Sequence, residues 1–169
     1  IIIKEKTDRL VDEDVLNDAV DLGLVKLTVR GQDLCIYPID VKRHCALIYK
    51  GHPLYDRNEI SVRDLKGEKI IIENSDFKVY WKFADLCKGY GFMPEIYFET
   101  TEISMAHYLA HLKKGIAITV ESENERLGFE DLRMVFFKED FYCPWALVTK
   151  KRISPITREF LKYLGFDEA

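Results

Sequence analysis

Strand-like and helix-like segments alternate along nearly the whole chain, and this alternation constrains the fold more than any other feature of the sequence. Short apolar runs of strand length occupy residues 69–73, 95–99 and 116–120. Between them, residues 78–90 and 103–114 carry apolar side chains at helical spacing. A strand-helix-strand repeat buries its apolar surface by placing parallel strands side by side under a cover of helices. The sequence therefore predicts an α/β fold with a mostly parallel sheet.

The remaining elements follow from the same periodicities and from capping residues. Ser61 and Ser154 are preferred helix N-cap residues, and Pro155 suits the first turn of a helix. Gly115 is expected to end the helix over 103–114 as a left-handed cap. The final helix is expected to bury an apolar stripe made of Ile156, Phe160, Leu161 and Leu164. The other predicted elements are strands at 1–4, 21–25, 45–49, 132–137 and 145–150, helices at 7–20, 61–65, 122–126 and 154–164, and an irregular stretch at 26–38.

Charge and apolar content exclude several classes of protein. The chain has 25 Lys and Arg against 29 Asp and Glu, a formal net charge of −4. A surface that binds nucleic acid needs an excess of basic residues to neutralise phosphates. Apolar runs such as residues 70–72 fall far short of the ~20 residues that cross a bilayer. We therefore expect a globular chain that neither touches DNA itself nor contacts a membrane.

The cysteines are widely spaced, and no histidine lies at metal-ligand spacing from them; they are Cys35, Cys45, Cys87 and Cys143. This pattern is typical of reduced thiols in a cytoplasmic protein rather than of disulfides or of a zinc site. A redox switch at Cys35 and Cys45 is the alternative, but no nearby basic cluster would activate either thiol. Core or incidental thiols are therefore favoured.

No catalytic constellation is recognisable in the sequence. The serines that lack a nucleophile-elbow context are Ser75, Ser104 and Ser122, and the histidines without a triad pattern are His44, His52, His107 and His111. His107 and His111 lie four residues apart, as a metal-binding pair on a helix would. Because no metalloenzyme signature surrounds them, a solvated helix face is favoured. We expect neither an enzyme nor a cofactor or metal site.

Several short phrases, in their order along the chain, resemble the effector-binding domain of LysR-type transcriptional regulators. The phrases are Asp21-Leu22-Gly23-Leu24-Val25, His52-Pro53-Leu54, Ile60-Ser61-Val62-Arg63-Asp64-Leu65, Gly91-Phe92-Met93-Pro94-Glu95-Ile96, Leu112-Lys113-Lys114-Gly115-Ile116-Ala117-Ile118 and the closing segment 154–164. Each phrase alone is common in α/β proteins, and their order over nearly the whole chain carries the resemblance. Two departures concern the sub-family and the ligand. Glu121 stands where many members have proline, and Lys113-Lys114 replaces a commonly smaller and more apolar pair.

The resemblance implies a two-lobed, periplasmic-binding-protein-like fold of type 2 with two crossover strands. Lobe I would comprise residues 1–50 and 146–169, and lobe II residues 51–145. The family's winged helix-turn-helix DNA-binding domain would precede this chain, as would the first strand and helix of lobe I, and the start without Met agrees with a fragment. A small-molecule effector bound between the lobes would control transcription by the full-length protein. The resemblance also implies a homodimer or homotetramer, with helices 7–20 and 78–90 as contact faces.

Candidate effector ligands follow from a general rule for open α/β sheets. Ligands bind beyond the C-terminal ends of the strands, where helix N-termini present free N–H groups to anions. The polar side chains that follow predicted strands, at positions matching the family's pocket, are Lys26, Asn74, Ser75, Lys78, Thr100, Thr101, Thr119 and Glu121. The short polar side chains would hold a small metabolite, and Lys26 or Lys78 would supply charge if it is an anion. The alternative is structural, because Ser, Thr and Asn favour helix N-caps and Lys78 suits a solvated helix face.

Two other functions share this architecture. A solute-binding protein of a transporter would bind a ligand without regulating transcription, and its full gene would encode an export signal. An enzyme on the same scaffold would be revealed only by turnover. The aromatic residues that would wall a pocket for an aromatic ligand, or else pack in the core or an interface, are Phe77, Tyr80, Trp81 and Phe83.

Overall fold

A computed structural model describes residues 2–26, 33–121 and 128–166. In this part of the chain the helices are α1 Asp8–Leu16, α2 Lys78–Gly89, α3 Ile103–His111 and α4 Pro155–Tyr163, with a 3₁₀ turn at Val62–Leu65. The strands are β1 Gly23–Lys26, β2 Leu34–Tyr49, β3 Glu59–Ile60, β4 Lys69–Glu73, β5 Glu95–Thr100, β6 Ile116–Val120, β7 Leu132–Phe137 and β8 Tyr142–Lys150. None of these helices is long and apolar enough to cross a membrane. The predicted helix at 122–126 lies outside the described residues, as does Ile1 of the first predicted strand.

The chain divides into two compact units. Unit 1 comprises Ile1–Val41 and Pro144–Ala169, and unit 2 comprises Lys42–Cys143. The chain passes from one unit to the other within β2 and again within β8. The sequence placed these passages at 50/51 and 145/146. The first passage falls earlier because residues 44–49 of β2 pair with β6 and β7 and so belong to the sheet of unit 2.

Unit 2 contains a mixed sheet in the order β3-β7-β2-β6-β4-β5. Strand β2 is antiparallel to both of its neighbours, and the other strands run parallel to one another. On one face, Ile71 and Ala117 pack against Ala106 and Ala110 of α3, because small side chains let the helix approach the sheet closely. On α2, Phe83 is fully buried against Phe137 and Phe141 of unit 2.

Unit 1 pairs β1 with β8 in antiparallel register, Gly23 opposite Val148. Helix α1 covers this pair through Val15, which forms a small core with Val25 and Val148. A Cβ at Gly23 would lie 2.5 Å from Val11 Cγ1, so the glycine permits the close approach of the helix.

A carboxylate ties three segments of unit 2 together. Glu139 accepts hydrogen bonds from Ser61 Oγ at 2.6 Å, from the Val62 backbone N–H at 3.1 Å and from the Tyr90 hydroxyl at 2.7 Å. Partial burial acts to raise the pKa of Glu139, but the hydrogen bonds from Ser61 and Tyr90 outweigh it and hold the pKa below its ordinary value. The ionised side chain therefore stabilises the start of the 3₁₀ turn and the C-terminal end of α2.

Several predicted elements differ from the structure at their ends. Residues 2–4 form no strand, α1 ends at Leu16 rather than at 20, and residues 34–38 are part of β2 rather than irregular. The left-handed residue after α3 is Lys113, with φ +56°, and not Gly115. Gly115 is required for a different reason, because a Cβ there would lie 2.5 Å from the Lys69 carbonyl oxygen on β4.

The buried face of α4 was predicted wrongly. Leu161 is fully buried, but Ile156 is 78% exposed, and Phe160 and Leu164 are also exposed. The second buried position of the helix is Thr157, which is four residues before Leu161. Helical spacing alone allows neighbouring stripes, and the apolar residues of α4 are spread over more than one of them.

Candidate functional site

The connections that leave two neighbouring strands of unit 2 depart in opposite directions. From β4 the chain runs through α2 to β5, on the side of β4 away from β6. From β6 the chain runs on to β7, beyond β2 and away from β4. Such a switch point leaves a crevice at the C-terminal ends of the two strands, which is where open α/β sheets bind ligands.

The pairing of β4 with β6 stops before either strand ends. The ladder joins Ile70 to Ile116 and Ile71 to Ala117, whereas the strands continue to Glu73 and Val120. The pairing of β4 with β6 therefore does not reach the C-terminal ends of the two strands. We call this region, made of the C-terminal ends of β4 and β6 and the turns that follow β4 and β5, the strand-end site.

The turn after β4 and the first residue of α2 carry three of the predicted ligands. Asn74 Oδ1 accepts a hydrogen bond from the Asp76 backbone N–H at 3.1 Å, so this side chain stabilises its own turn. Ser75 is partly buried, and its carbonyl accepts from Trp81 Nε1 at 2.8 Å. Lys78 is the first residue of α2 and is partly buried, not fully solvated.

The turn after β5 lies directly beside the turn after β4. The Asn74 backbone N–H donates to the Thr100 carbonyl at 2.9 Å, which brings these two predicted residues together. Thr100 Oγ1 accepts from the Glu102 backbone N–H at 2.9 Å, so its hydroxyl prepares the start of α3. Thr101 is exposed at the same turn. Thr100 therefore stabilises the start of α3, and it also lies at a strand end, where a ligand contact is expected.

The end of β6 contributes a buried hydroxyl. Thr119 is 3% exposed, and its Oγ1 lies 2.8 Å from His107 Nε2 on α3. Thr119 and Ala117 lie on the same face of β6, as Glu73 and Ile71 do on β4, because side chains alternate along a strand. Glu73 is 8% exposed, so a carboxylate, a hydroxyl and an imidazole share the α3 face at this edge.

Glu121 is turned toward the neighbouring strand. Its Oε1 accepts a hydrogen bond from the Arg43 backbone N–H at 2.7 Å, and its own N–H donates to the Arg43 carbonyl at 2.9 Å. The Arg43 guanidinium donates to the Phe137 carbonyl at 2.9 Å and lies 3.6 Å from Glu59. These contacts anchor the end of β6 and give Glu121 a structural role.

Two helix N-termini add positive potential at the same edge. Helices α2 and α3 begin directly after the turns that follow β4 and β5, and neither Phe77 nor Glu102 caps its helix through a side chain. Backbone N–H groups of a first helical turn without such a cap bind anions favourably, and the helix dipole adds to the attraction. The strand-end site is therefore suited to an oxygen anion on a small ligand.

Lys26 belongs to unit 1, whereas the other predicted ligands belong to unit 2. It stands opposite Trp145 in the register of β1 with β8, and its Nζ lies 5.2 Å from the centre of the indole ring. Cross-strand packing of a cation on an aromatic face accounts for its position.

The sequence favoured a solvated helix face for the two histidines of α3, whereas in the structure both are partly buried and each contacts a side chain of another segment. His107 bonds to Thr119, and His111 Nδ1 lies 2.7 Å from Asp131 Oδ1 and stacks on Phe129. The two imidazoles thus contact different partners. The described residues contain no group of three or more His, Cys, Asp or Glu arranged to hold a metal ion. The small residues Ala106 and Ala110 beside His107 were the signal that this face of α3 packs against the sheet.

The thiols and the aromatic residues have mainly structural surroundings. Burial raises the pKa of Cys45 to about 12 and that of Cys87 to about 12, which keeps both thiols protonated. Phe83 belongs to the core, whereas Trp81 is 52% exposed on α2.

A model of the LysR substrate binding domain family matches residues 1–166. The chain belongs to this family. The match confirms the resemblance stated from the sequence, and it favours a regulator over a solute-binding protein or an enzyme, since the family is not a class of enzymes. It also confirms the predicted α/β fold of periplasmic-binding-protein type.

Individual relatives are distant in sequence and close in fold. AlsR, an HTH-type transcriptional regulator of Bacillus subtilis, is 24% identical over 167 residues, which cover 95% of this chain and 54% of AlsR. The effector binding domain of QuiR in complex with shikimate has a TM-score of 0.81 at 17% identity, covering 94% of this chain and 76% of that one. The Synechocystis CcmR regulatory domain in complex with 2-PG has a TM-score of 0.78 at 20% identity, covering 94% and 78%. The chain spans about half the length of the curated relatives that it matches.

Proposed function

We propose that this chain is the effector-sensing part of a bacterial LysR-type transcriptional regulator, and that a small metabolite binds at its strand-end site. Membership of the LysR substrate binding domain family is the observation that carries the proposal. The QuiR and CcmR domains were solved with shikimate and with 2-PG, which supports a small polar metabolite as the ligand class here. The side chains of unit 2 that we expect to contact it are Asn74, Ser75, Lys78, Thr100, Thr101 and Thr119.

The regulatory step would be a shift between conformations. A ligand that binds one arrangement of the domain more tightly than another changes their populations by its difference in affinity, with no chemical reaction. The full-length protein would then bind DNA differently, as a homodimer or homotetramer in the cytoplasm. The net charge of −4 supports the assignment of DNA contacts to a separate domain.

A thermal-shift screen of this chain tests the binding step. The panel contains shikimate, 2-PG, short carboxylates, amino acids, aromatic acids and inorganic anions. A ligand at about 100 times its Kd adds ~2.7 kcal/mol to the free energy of unfolding, which raises the Tm by roughly 5–10 °C for a domain of this size. If no compound raises the Tm, the effector-binding proposal fails for these ligand classes.

Matched variants place the ligand. Lys78→Gln removes a charge at the first turn of α2, and Lys82→Gln removes one from the exposed surface of the same helix one turn later. We expect Lys78→Gln to weaken binding of an anionic hit about tenfold, and Lys82→Gln to change it less than twofold. Equal effects would argue against the strand-end site. The regulatory step is tested by adding the same hit to the full-length protein, where an unchanged affinity for its DNA would refute it.

A further inference from the structure

One imidazole beside the crevice has one ring nitrogen bound and the other open. His107 Nε2 lies 2.8 Å from Thr119 Oγ1. His107 is partly buried, and its Nδ1 has no partner among the residues that the structure describes. The ring is thus held through Nε2 by β6, and the side chain as a whole is only partly buried.

The buried hydroxyl decides which ring nitrogen carries the proton. Within the described residues, His107 Nε2 is the hydrogen-bond acceptor within reach of the Thr119 hydroxyl. A buried O–H that donates to nothing is unfavourable, so Thr119 donates and Nε2 accepts. Burial lowers the pKa of His107 below its ordinary value, so the ring is neutral at pH 7 and has a single proton. With Nε2 acting as acceptor, that proton lies on Nδ1.

We propose that His107 is a specificity-determining residue of the strand-end site, held by Thr119 in the Nδ1–H form so that Nδ1 donates a hydrogen bond to an oxygen of the effector. The ligand oxygen would belong to a carboxylate, sulfate or phosphate group, for which the first turns of α2 and α3 supply the positive potential. This inference rests on the proposed function and adds to it the ligand group and the residue that selects it. The buried carboxylate on the same face, Glu73 of β4, disfavours an oxygen anion placed deeper than His107.

The proton position is tested first, without ligand. Long-range ¹H–¹⁵N NMR correlations of the ¹⁵N-labelled protein at pH 7 distinguish the two neutral forms of each histidine, and the loss of signals in His107→Gln assigns His107. His52 is an internal reference for the opposite form, because its Nδ1 accepts from the Leu54 backbone N–H at 3.1 Å and its Nε2 lies 3.2 Å from Glu68. We expect the Nδ1–H form for His107 and a shift toward the Nε2–H form in Thr119→Val. An Nε2–H form in the unmodified protein overturns the inference and leaves the proposed function standing.

The ligand contact is tested second, with shikimate, acetate and sulfate as probes. We expect a bound probe to shift the Nδ1 resonance of His107 but not the ring signals of His111, which lies one turn later on α3 and faces Asp131. Thr119→Val should weaken probe binding about tenfold, Thr119→Ser should restore it, and His111→Gln should change it less than twofold. Probe binding that leaves His107 unshifted overturns the contact alone. If none of the three probes binds, the oxygen-anion assignment falls, while the broader screen still decides whether the domain binds another effector.

Discussion

Replacing Gly115 by alanine should weaken the pairing of β4 with β6 more than the addition of a single methyl group suggests. A Cβ at this position would lie 2.5 Å from the Lys69 carbonyl oxygen, 3.2 Å from the Lys69 carbonyl carbon and 3.3 Å from Ile71 Cγ1. Two of these atoms are backbone, which cannot rotate away as a side chain end could. The residue lies immediately before β6, next to the first pair of the short ladder, Ile70 with Ile116.

The magnitude follows from three terms. Overpacking of a close backbone contact costs about 1–3 kcal/mol. Displacement of β6 weakens a ladder hydrogen bond, worth ~1 kcal/mol. The lower conformational entropy of the unfolded chain returns ~0.4–1 kcal/mol to the alanine variant. The net expectation is a loss of about 2 kcal/mol in the free energy of unfolding.

Urea denaturation measures this loss, with the fluorescence of Trp81 as the probe of unit 2 in a Trp145→Phe background. Gly89→Ala is the matched control, because Gly89 ends α2 and nothing lies within 4 Å of its Cβ position. We expect this control to gain roughly 0.5–1 kcal/mol from helix propensity. A Gly115→Ala protein within ~0.5 kcal/mol of the unmodified chain would refute the close-contact argument. The variant should also bind any effector more weakly, since the separation of β4 from β6 shapes the crevice.

Three further predictions concern other parts of the chain. Glu139→Gln should lower the free energy of unfolding by about 1–2 kcal/mol at pH 7. Because hydrogen bonds hold the pKa of Glu139 below its ordinary value, this contribution is present above about pH 4.3 and disappears as the pH falls further. Urea melts over this pH range should therefore converge for the two proteins, and a constant difference would contradict the assignment. Leu161→Ala should lower the free energy of unfolding by about 2–4 kcal/mol, since the side chain is fully buried. Ile156→Ala on the same helix should change it by less than ~0.5 kcal/mol. Equal effects in thermal melts would show that the buried face of α4 is misplaced. Iodoacetamide should label Cys45 and Cys87 at least a hundredfold more slowly in the folded protein than in urea, because burial raises both pKa values to about 12, and rapid labelling seen by mass spectrometry would contradict this.

Strands in the middle of the unit 2 sheet were predictable from sequence, with the same ends as in the structure for residues 69–73, 116–120 and 132–137. They are short apolar runs bounded by polar residues or glycine, and such runs have few other ways to bury their side chains. The capped starts at Ser61 and Ser154 were predictable for a local reason, since each cap bonds to a backbone N–H two or three residues away. The position of the crevice was predictable only from the general rule that open α/β sheets bind ligands beyond the C-terminal ends of their strands.

Tertiary structure decided which of those strand-end residues meet and what each one contacts. The sequence placed Thr119 and Glu121 in one cluster, but Thr119 turns to His107 on α3 while Glu121 turns to the backbone of Arg43, 78 residues earlier. Gly115 matters for the space beside Lys69 on another strand, and not for its own backbone angle. Local periodicity and capping are contained in a few consecutive residues, so the sequence determined them. Contacts between strands depend on register and on the packing of helices over the sheet, which no short stretch of the chain contains.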